Sequence, residues 1–412
     1  MAITVEPLTT ALAKQKPLPW MKLDINTVRY NQVAAFTLTL PAVDRAWDLV
    51  DFDADGVLKP KAGFLIDWNG VFELPCKAEQ ANLSRTIDDA GNITETIVFS
   101  GGDFLSLLAD RIVFRNPALP WTGQTVGTST VTGKAETVIK QIVTGNLVTA
   151  GDTTRRVPGF AVAPDLARGG DVTYTIVIKD PAATGVDKTA TIGDTVMDMV
   201  RAVARQSDIG VRIDLINGQL VFDCFIPRDL TEKVVFSERL GNLRAWNITD
   251  ATPTGNAILA QSGTPTGAFT TGTGPGATDP WRRVESYSDQ TSTIDAAQLN
   301  QARLDELAKG AAATKINLTA VDIPRCRFGR DAPGIQGYSL GDRVAADIRD
   351  GVVYTDIVSA VHLTADGTSA TYTETVTPTI GRADDTAADD ATDTAQLAAQ
   401  VRRLEQALRN LR

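Results

Sequence analysis

Histidine is almost missing from this chain: one residue, His362, in 412. A single histidine excludes the paired-histidine sites of zinc proteases, most zinc hydrolase sites and any second imidazole for acid–base work. His362 stands in an alternating strand beside Val361 and Leu363, a setting typical of structural histidines, and no G-x-S-x-G elbow exists to supply a nucleophile. Cysteine is scarce too. Cys76, Cys224 and Cys326 are odd in number and widely separated, so no disulfide framework or clustered zinc site follows, and a reducing compartment is the simplest inference. No apolar run approaches a membrane span, and the first residues, Met1 to Pro19, lack the apolar core of a signal peptide. Positive charge is in deficit. The 40 Lys plus Arg against 50 Asp plus Glu leave a net charge of -10, which argues against gripping DNA through its phosphates. Acidic walls could still keep a passing duplex from sticking.

What is present describes an ordinary globular chain, 43% apolar and 22% charged, with room for roughly two to four domains. Between Trp20 and Phe114, alternation at 35–40 and short apolar runs at 63–68, 71–74 and 93–100 predict strands of a small barrel or sandwich. The middle region mixes periods. Val138, Ile139, Ile142 and Val143 make one helical face, and Val196, Met199, Val200 and Val203 make another behind Asp194 as cap. Alternating Val211, Ile213 and Leu215 lead to Asn217-Gly218, then Leu220, Phe222, Cys224 and Ile226 alternate away, which predicts a hairpin. The Gly/Thr/Pro-rich stretch 252–280 reads as a long loop or linker. A helix is expected over 295–309, with Asp295 and Gln298 as a capping box, and strands over 315–321, 343–348, 352–363 and 369–376. The expected fold is mainly β with α+β insertions. Its divisions are a barrel-like domain (1–116), a mixed region (117–248), a loop (249–280), a second barrel-like domain (281–380), an acidic linker (381–392) and a coiled coil (393–412).

The coil carries the clearest periodicity. Leu397, Val401, Leu404, Leu408 and Leu411 recur at alternating spacings of four and three behind the acidic, Ala/Thr-rich 384–393, forming one apolar seam. About two heptads do not hold a helix in water alone, so the seam needs partner helices, most simply from identical chains. Val at a with Leu at d leans towards a dimer. The alternative is an amphipathic helix folded back on its own body.

Few constellations suggest chemistry. Asp51, Asp53, Asp55 and Gly56, in DFDADG, match the front half of a calcium loop, but Ala62 stands where an EF-hand needs a bidentate Glu, and a solvated acidic turn explains the run. Arg325, Arg327 and Arg330 crowd around Cys326 and Phe328. They could lower the thiol pKa or meet a phosphate, but in so acidic a chain they fit acidic partners across a subunit interface better. The glycines of TGTGPGA follow no strand, open no helix and are interrupted by Pro275, so they do not form a nucleotide loop. No catalytic set, metal site or cofactor is expected.

Several segments resemble a known family. NQVAAFTLTLP (31–41), GVFEL (70–74), FSGGDFLSLLADR (99–111), IPRDLTEKVVFSERLGNL (226–243) and YSLGDRV (338–344), followed by a hairpin and Thr377-Pro378, resemble the tail hub proteins of long-tailed phages, also called tail-associated lysin or minor tail proteins. The resemblance spans about 25 to 380 and is similar to baseplate hubs of contractile tails. It implies a homotrimer whose two tube-like β barrels per chain imitate sixfold symmetry and convert it to threefold. The implied partners are the distal tail protein and tail tube, a tail fibre or spike, the tape measure protein, phage DNA passing without specific binding, and the host envelope indirectly. The implied location is the virion tail tip, and an acidic bore is expected from the charge balance. Longer relatives carry a peptidase, lysozyme or carbohydrate-binding domain, none is expected within these 412 residues, and so no family active site is carried over. The competing expectations are a trimeric receptor-binding adhesin, which the 6% aromatic content disfavours, and a cell-wall hydrolase.

Overall fold

Alternation builds the principal sheet. In Ala35–Pro41, Phe36, Leu38 and Leu40 are buried while Ala35 and Thr37 are exposed, and in Lys22–Arg29 the buried residues are Leu23, Ile25 and, past a bulge, Val28. The computed structural model describes residues 3–381 apart from 53–57, 62, 88–90, 92, 126, 179–194, 263–268, 291–299, 301–302, 305, 308–309, 312, 321–322, 324–325, 330, 332–334, 350–351 and 369–371.

The main sheet is 12-stranded. Its strands run in the order Thr4–Leu8, Gly63–Trp68, Phe72–Ile87, Ile93–Asp103, Ala35–Pro41, Lys22–Arg29, Val352–Asp366, Thr373–Gly381, Ala313–Ala320 and Leu243–Ala251. Arg343–Arg349 pairs the early part of Val352–Asp366 and carries Val235–Ser237 in parallel beside it. Strands that the sequence divides between two modules are thus neighbours in one sheet, joined where Lys22–Arg29 meets Val352–Asp366. They also share one core, in which Phe36, Phe64 and Phe99 stack edge to face at 6.1 and 5.1 Å and lie with Phe236, Tyr338, Val361 and Leu363.

The middle region has a core of its own. Helix Ala135–Val143 buries Val138, Ile139, Ile142 and Val143, as the sequence predicts, and continues into a π turn, Thr144–Val148. Helix Val196–Gln206 buries Met199, Val200 and Val203, but its cap is Thr195, not Asp194. Thr195 and Asp198 form a reciprocal capping box, with the Asp198 N–H donating to Thr195 Oγ1 at 3.1 Å. The hairpin of Gly210–Ile216 and Gln219–Phe225 turns at Asn217 (φ 52°) and Gly218 (φ 74°), a geometry that suits Asn-Gly.

The stretch read as a loop holds two strands of a three-stranded sheet. Ala257–Ser262 pairs antiparallel with Phe269–Thr273 and parallel with Glu285–Gln290. Small residues at Ala257, Ala260 and Gly272 hide the alternation, although Ile258 and Ala260 are buried. Of the expected 295–309 helix, the described residues 300, 303–304 and 306–307 are helical, and the Gly310 N–H closes on the Glu306 carbonyl at 2.9 Å.

Candidate functional site

The motifs that are separate in sequence converge at the junctions between parts of the fold. Arg228 of the IPRD segment reaches Asp342 of YSLGDRV with Nε to Oδ1 at 3.2 Å and Nη2 to Oδ2 at 2.6 Å, and its Nη1 meets Asp331 at 2.9 Å. Asp342 is 2% exposed and also accepts from the Arg228 and Ser339 N–H groups. Backbone pairing continues the join, since the Leu230 N–H donates to Arg343 O and the Arg343 N–H to Arg228 O, both at 2.8 Å. Gly341 of the same motif has φ 84°, and a Cβ there would run into the Tyr30 ring.

Asn31 opens the NQVAAFTLTLP segment with φ 56° and is buried. Its side chain donates to Ile209 O at 2.8 Å and accepts from the Val211 N–H at 2.9 Å, stitching the hairpin of the middle region to the main sheet. In FSGGDFLSLLADR, Asp103 stands opposite Cys76 and accepts from the Leu105 N–H at 3.2 Å. Burial pushes its carboxyl from 3.8 up to about 8 against the backbone hydrogen bonds, and burial with the nearby Asp103 charge raises the Cys76 thiol well above its ordinary value.

A buried ion network, missed by the sequence reading, holds the middle region. Glu136 and Lys140, one turn apart, pair at 2.6 Å; Arg168 grips Glu136 through Nε and Nη2, each at 2.8 Å; Asp223 takes Lys140 at 2.8 Å and Arg168 at 3.2 Å. Burial alone would raise Glu136, yet the hydrogen bonds from Arg168 and Lys140 prevail and hold it down at about 2. The i, i+4 charges inside an apolar helix face were a readable signal, whereas Arg168 and Asp223 come from distant segments. Every charge in the network is matched, so no member is left as an uncompensated buried ion.

The individually named sequence candidates fall as follows. Asp51 is exposed, caps its neighbour's N–H at 3.0 Å and lies 3.7 Å from Lys61, while Asp53 and Asp55 lie outside the described residues. Arg327 sits half-buried in Cys326–Phe328, which pairs in parallel with Gln336–Tyr338; Arg325 and Arg330 lie outside the described residues, as do Leu397, Val401, Leu404, Leu408 and Leu411. His362 Nε2 is 2.8 Å from Asp24 Oδ1, across the junction of the two sheet halves. Among the described residues no group of three His, Cys, Asp or Glu could hold a metal ion.

What remains conspicuous is surface that a lone chain leaves uncovered. Phe72–Ile87 and Ile93–Asp103 pair out to Ile87 opposite Ile93, well beyond the Lys77 position where Gly63–Trp68 stops. One face of this arm shows Leu83, Ile87 (63% exposed) and Ile93 (54%) around an Arg85–Glu95 pair at 3.2 Å. At the far end of the sheet path, Leu243–Ala251 is an edge strand with Trp246 exposed.

A comparison with curated proteins finds no match. Two crystal structures share the fold over nearly their whole length. The 43 kDa tail protein of prophage MuSo2 from Shewanella oneidensis aligns with a TM-score of 0.52 and 13% identity, over 92% of this chain and 97% of that one. The tail protein from Neisseria meningitidis MC58 aligns with a TM-score of 0.53 and 11% identity, over 94% and 98%. Residues 18–382, which include every junction described above, match the Siphovirus ReqiPepy6 Gp37-like protein family, and the chain belongs to that family.

Proposed function

We propose that the chain is a non-enzymatic structural protein of the virion tail. In this reading it is a homotrimeric tail-tip hub that adapts the sixfold tube or distal tail ring to a threefold fibre or spike. Family membership and a fold shared with two phage tail proteins support the tail role. The observation that carries the hub reading is the continuous sheet, in which strands from 4–103 and strands from 235–381 form the two halves of one wall. Two such halves per chain, three times over, give six tube-like modules. The protruding arm, with Ile87 and Ile93 bare, supports contacts to neighbouring subunits. The coil at 393–412 is the proposed threefold attachment point.

The test is mass in solution for the full chain and for a chain ending at residue 383. A full-length trimer that dissociates on truncation fits the reading, and a monomer at all concentrations refutes it. A second reading, a receptor-binding tail protein, is favoured by Trp281, 96% exposed on a turn that buried Asn256 pins through Pro275 O, Arg282 O and the Val284 N–H. Tails that assemble without the protein but fail to adsorb would select that alternative.

A further inference from the structure

The most buried arginine among the described residues is one without an acid. Arg155, 8% exposed, ends the short turn Thr153–Arg155 and reaches back to the chain that follows the strand Ile93–Asp103. Its Nη2 donates to Ile112 O at 2.5 Å and to Asn146 Oδ1 at 3.3 Å, and its Cζ lies 3.4 Å from the centre of the Phe114 ring. Its Nη1 is shielded from water and has no hydrogen-bond partner. Arg111, the last residue of the FSGGDFLSLLADR segment, brings a second positive charge close by. It is half-buried, its Nη1 makes one bond of 3.3 Å to Asp110 O, and its Nε is also shielded and without a partner.

The acids nearest in sequence are engaged elsewhere. Asp110 pairs with Lys77 at 2.9 Å, and Asp152 accepts from the Thr154 N–H and hydroxyl at 3.0 and 2.6 Å. Burial first and the Arg111 charge second lower the Arg155 pKa below its ordinary value, and Asp152 opposes them only in part. Other guanidinium groups at the junctions fare differently: Arg168 and Arg228, both more exposed than Arg155, are each met by two carboxylates. Two amide oxygens and an aromatic face satisfy the Arg155 Nη2 and the guanidinium plane, but none of them carries a full negative charge. A buried cation beside a second cation is costly until an anion joins them. The place is reachable, since Ile112 is 37% exposed and Trp121, edge-on to Phe114 at 5.4 Å, is 60% exposed.

We propose that Arg155 and Arg111 form an oxyanion site, completed by a carboxylate or phosphate group that takes the two donors left over, Arg155 Nη1 and Arg111 Nε. Both groups suit the flat, forked donor set of a guanidinium. Arg155 is fixed by Ile112, Asn146 and Phe114, whereas Arg111, held by a single long bond, is the side chain that moves to admit the anion. The same chemistry arrives either as a free ion or as an acidic side chain of a second copy of the chain. The inference is independent of the hub reading, because it needs only this pair of arginines and an anion.

The test is inorganic phosphate titrated into the full chain at constant ionic strength, balanced with sodium chloride, and followed by thermal unfolding. Phosphate at about 20 mM should raise the wild-type midpoint by about 2 °C over the chloride control, the response to a ligand with a dissociation constant of about 1 mM. Arg111→Gln keeps a polar side chain at a half-buried position and should need about tenfold more phosphate for the same shift. Arg155→Met removes the buried charge and should abolish the shift; if that variant does not fold, Arg111→Gln decides alone. A wild-type chain that phosphate stabilises no more than chloride does overturns the proposal. Arg111→Gln responding at the wild-type phosphate concentration overturns it as well. Where the response is present and sensitive to Arg111, mass in solution at the same phosphate concentrations identifies the source. A mass that falls as phosphate rises assigns the site to a carboxylate of a second copy, and an unchanged mass assigns it to a free ion.

Discussion

Arg228 and Asp342, 114 residues apart in sequence, form a two-point ion pair that locks the chain leaving the middle region onto the C-terminal half of the sheet. The carboxylate is almost wholly buried, whereas the arginine side chain is 39% exposed and shared with Asp331. The two partners are therefore not equivalent. Removing the arginine strands a buried anion; its half-exposed position tempers the loss.

Arg228→Ala is expected to lower unfolding stability by about 2–3 kcal/mol in urea titration, below the full cost of breaking a wholly buried pair. Arg228→Lys should recover only part of it, because an ammonium cannot satisfy both carboxylate oxygens in the fork geometry. A lysine variant as stable as wild type would show that charge alone, without the fork, holds the junction.

Asn31 provides a second stitch, and three features depend on it: the left-handed backbone at φ 56°, the acceptor for Val211 and the donor to Ile209. Asn31→Ala strands two buried backbone groups and strains the turn, an expected loss of about 3 kcal/mol. Asn31→Gly relieves the turn and should be less severe by about 1 kcal/mol. Amide exchange at Val211 should accelerate in both variants. An unchanged Val211 in Asn31→Gly would mean that the hairpin is held by packing alone.

Much of the fold was legible because its short strands alternate. Ala35–Pro41 and the turn at Asn217-Gly218 follow from side-chain period and turn chemistry alone. The outer half of Phe72–Ile87 was not read as a strand, since Glu79, Gln80, Asn82, Ser84, Arg85 and Thr86 leave only Ala81, Leu83 and Ile87 to mark its alternation and most of it faces no core. The three-stranded sheet around Ala257–Ser262 was hidden by glycine, alanine and threonine, which read as loop until their partners are known. The fusion of two β modules was invisible for another reason: the pairing of Lys22–Arg29 with Val352–Asp366 is a contact between distant segments, and local pattern holds no record of it. The family motifs marked the right places without revealing that Arg228, Asp342, Asn31 and Asp103 serve as fasteners.

Asp103 gives a prediction whose sign is fixed by its burial. An aspartate in the unfolded chain releases its proton near pH 3.8, whereas the buried native carboxyl holds it up to about 8. Between those values the native state binds one more proton than the unfolded state, so the slope of unfolding free energy against pH is negative. The stability contributed by the protonated acid is complete below the lower value and is lost as pH rises through the upper one, at up to about 1.4 kcal/mol per pH unit. Asp103→Asn keeps an oxygen for the Leu105 N–H and cannot ionise. Relative to wild type, the variant should gain stability steadily as pH rises between these values, with the gain levelling off above the upper one. Urea titrations at about pH 5, 7 and 9 measure this directly. Parallel curves for the two proteins would mean that Asp103 is already ionised in the native state and that a cation, not burial, sets its charge.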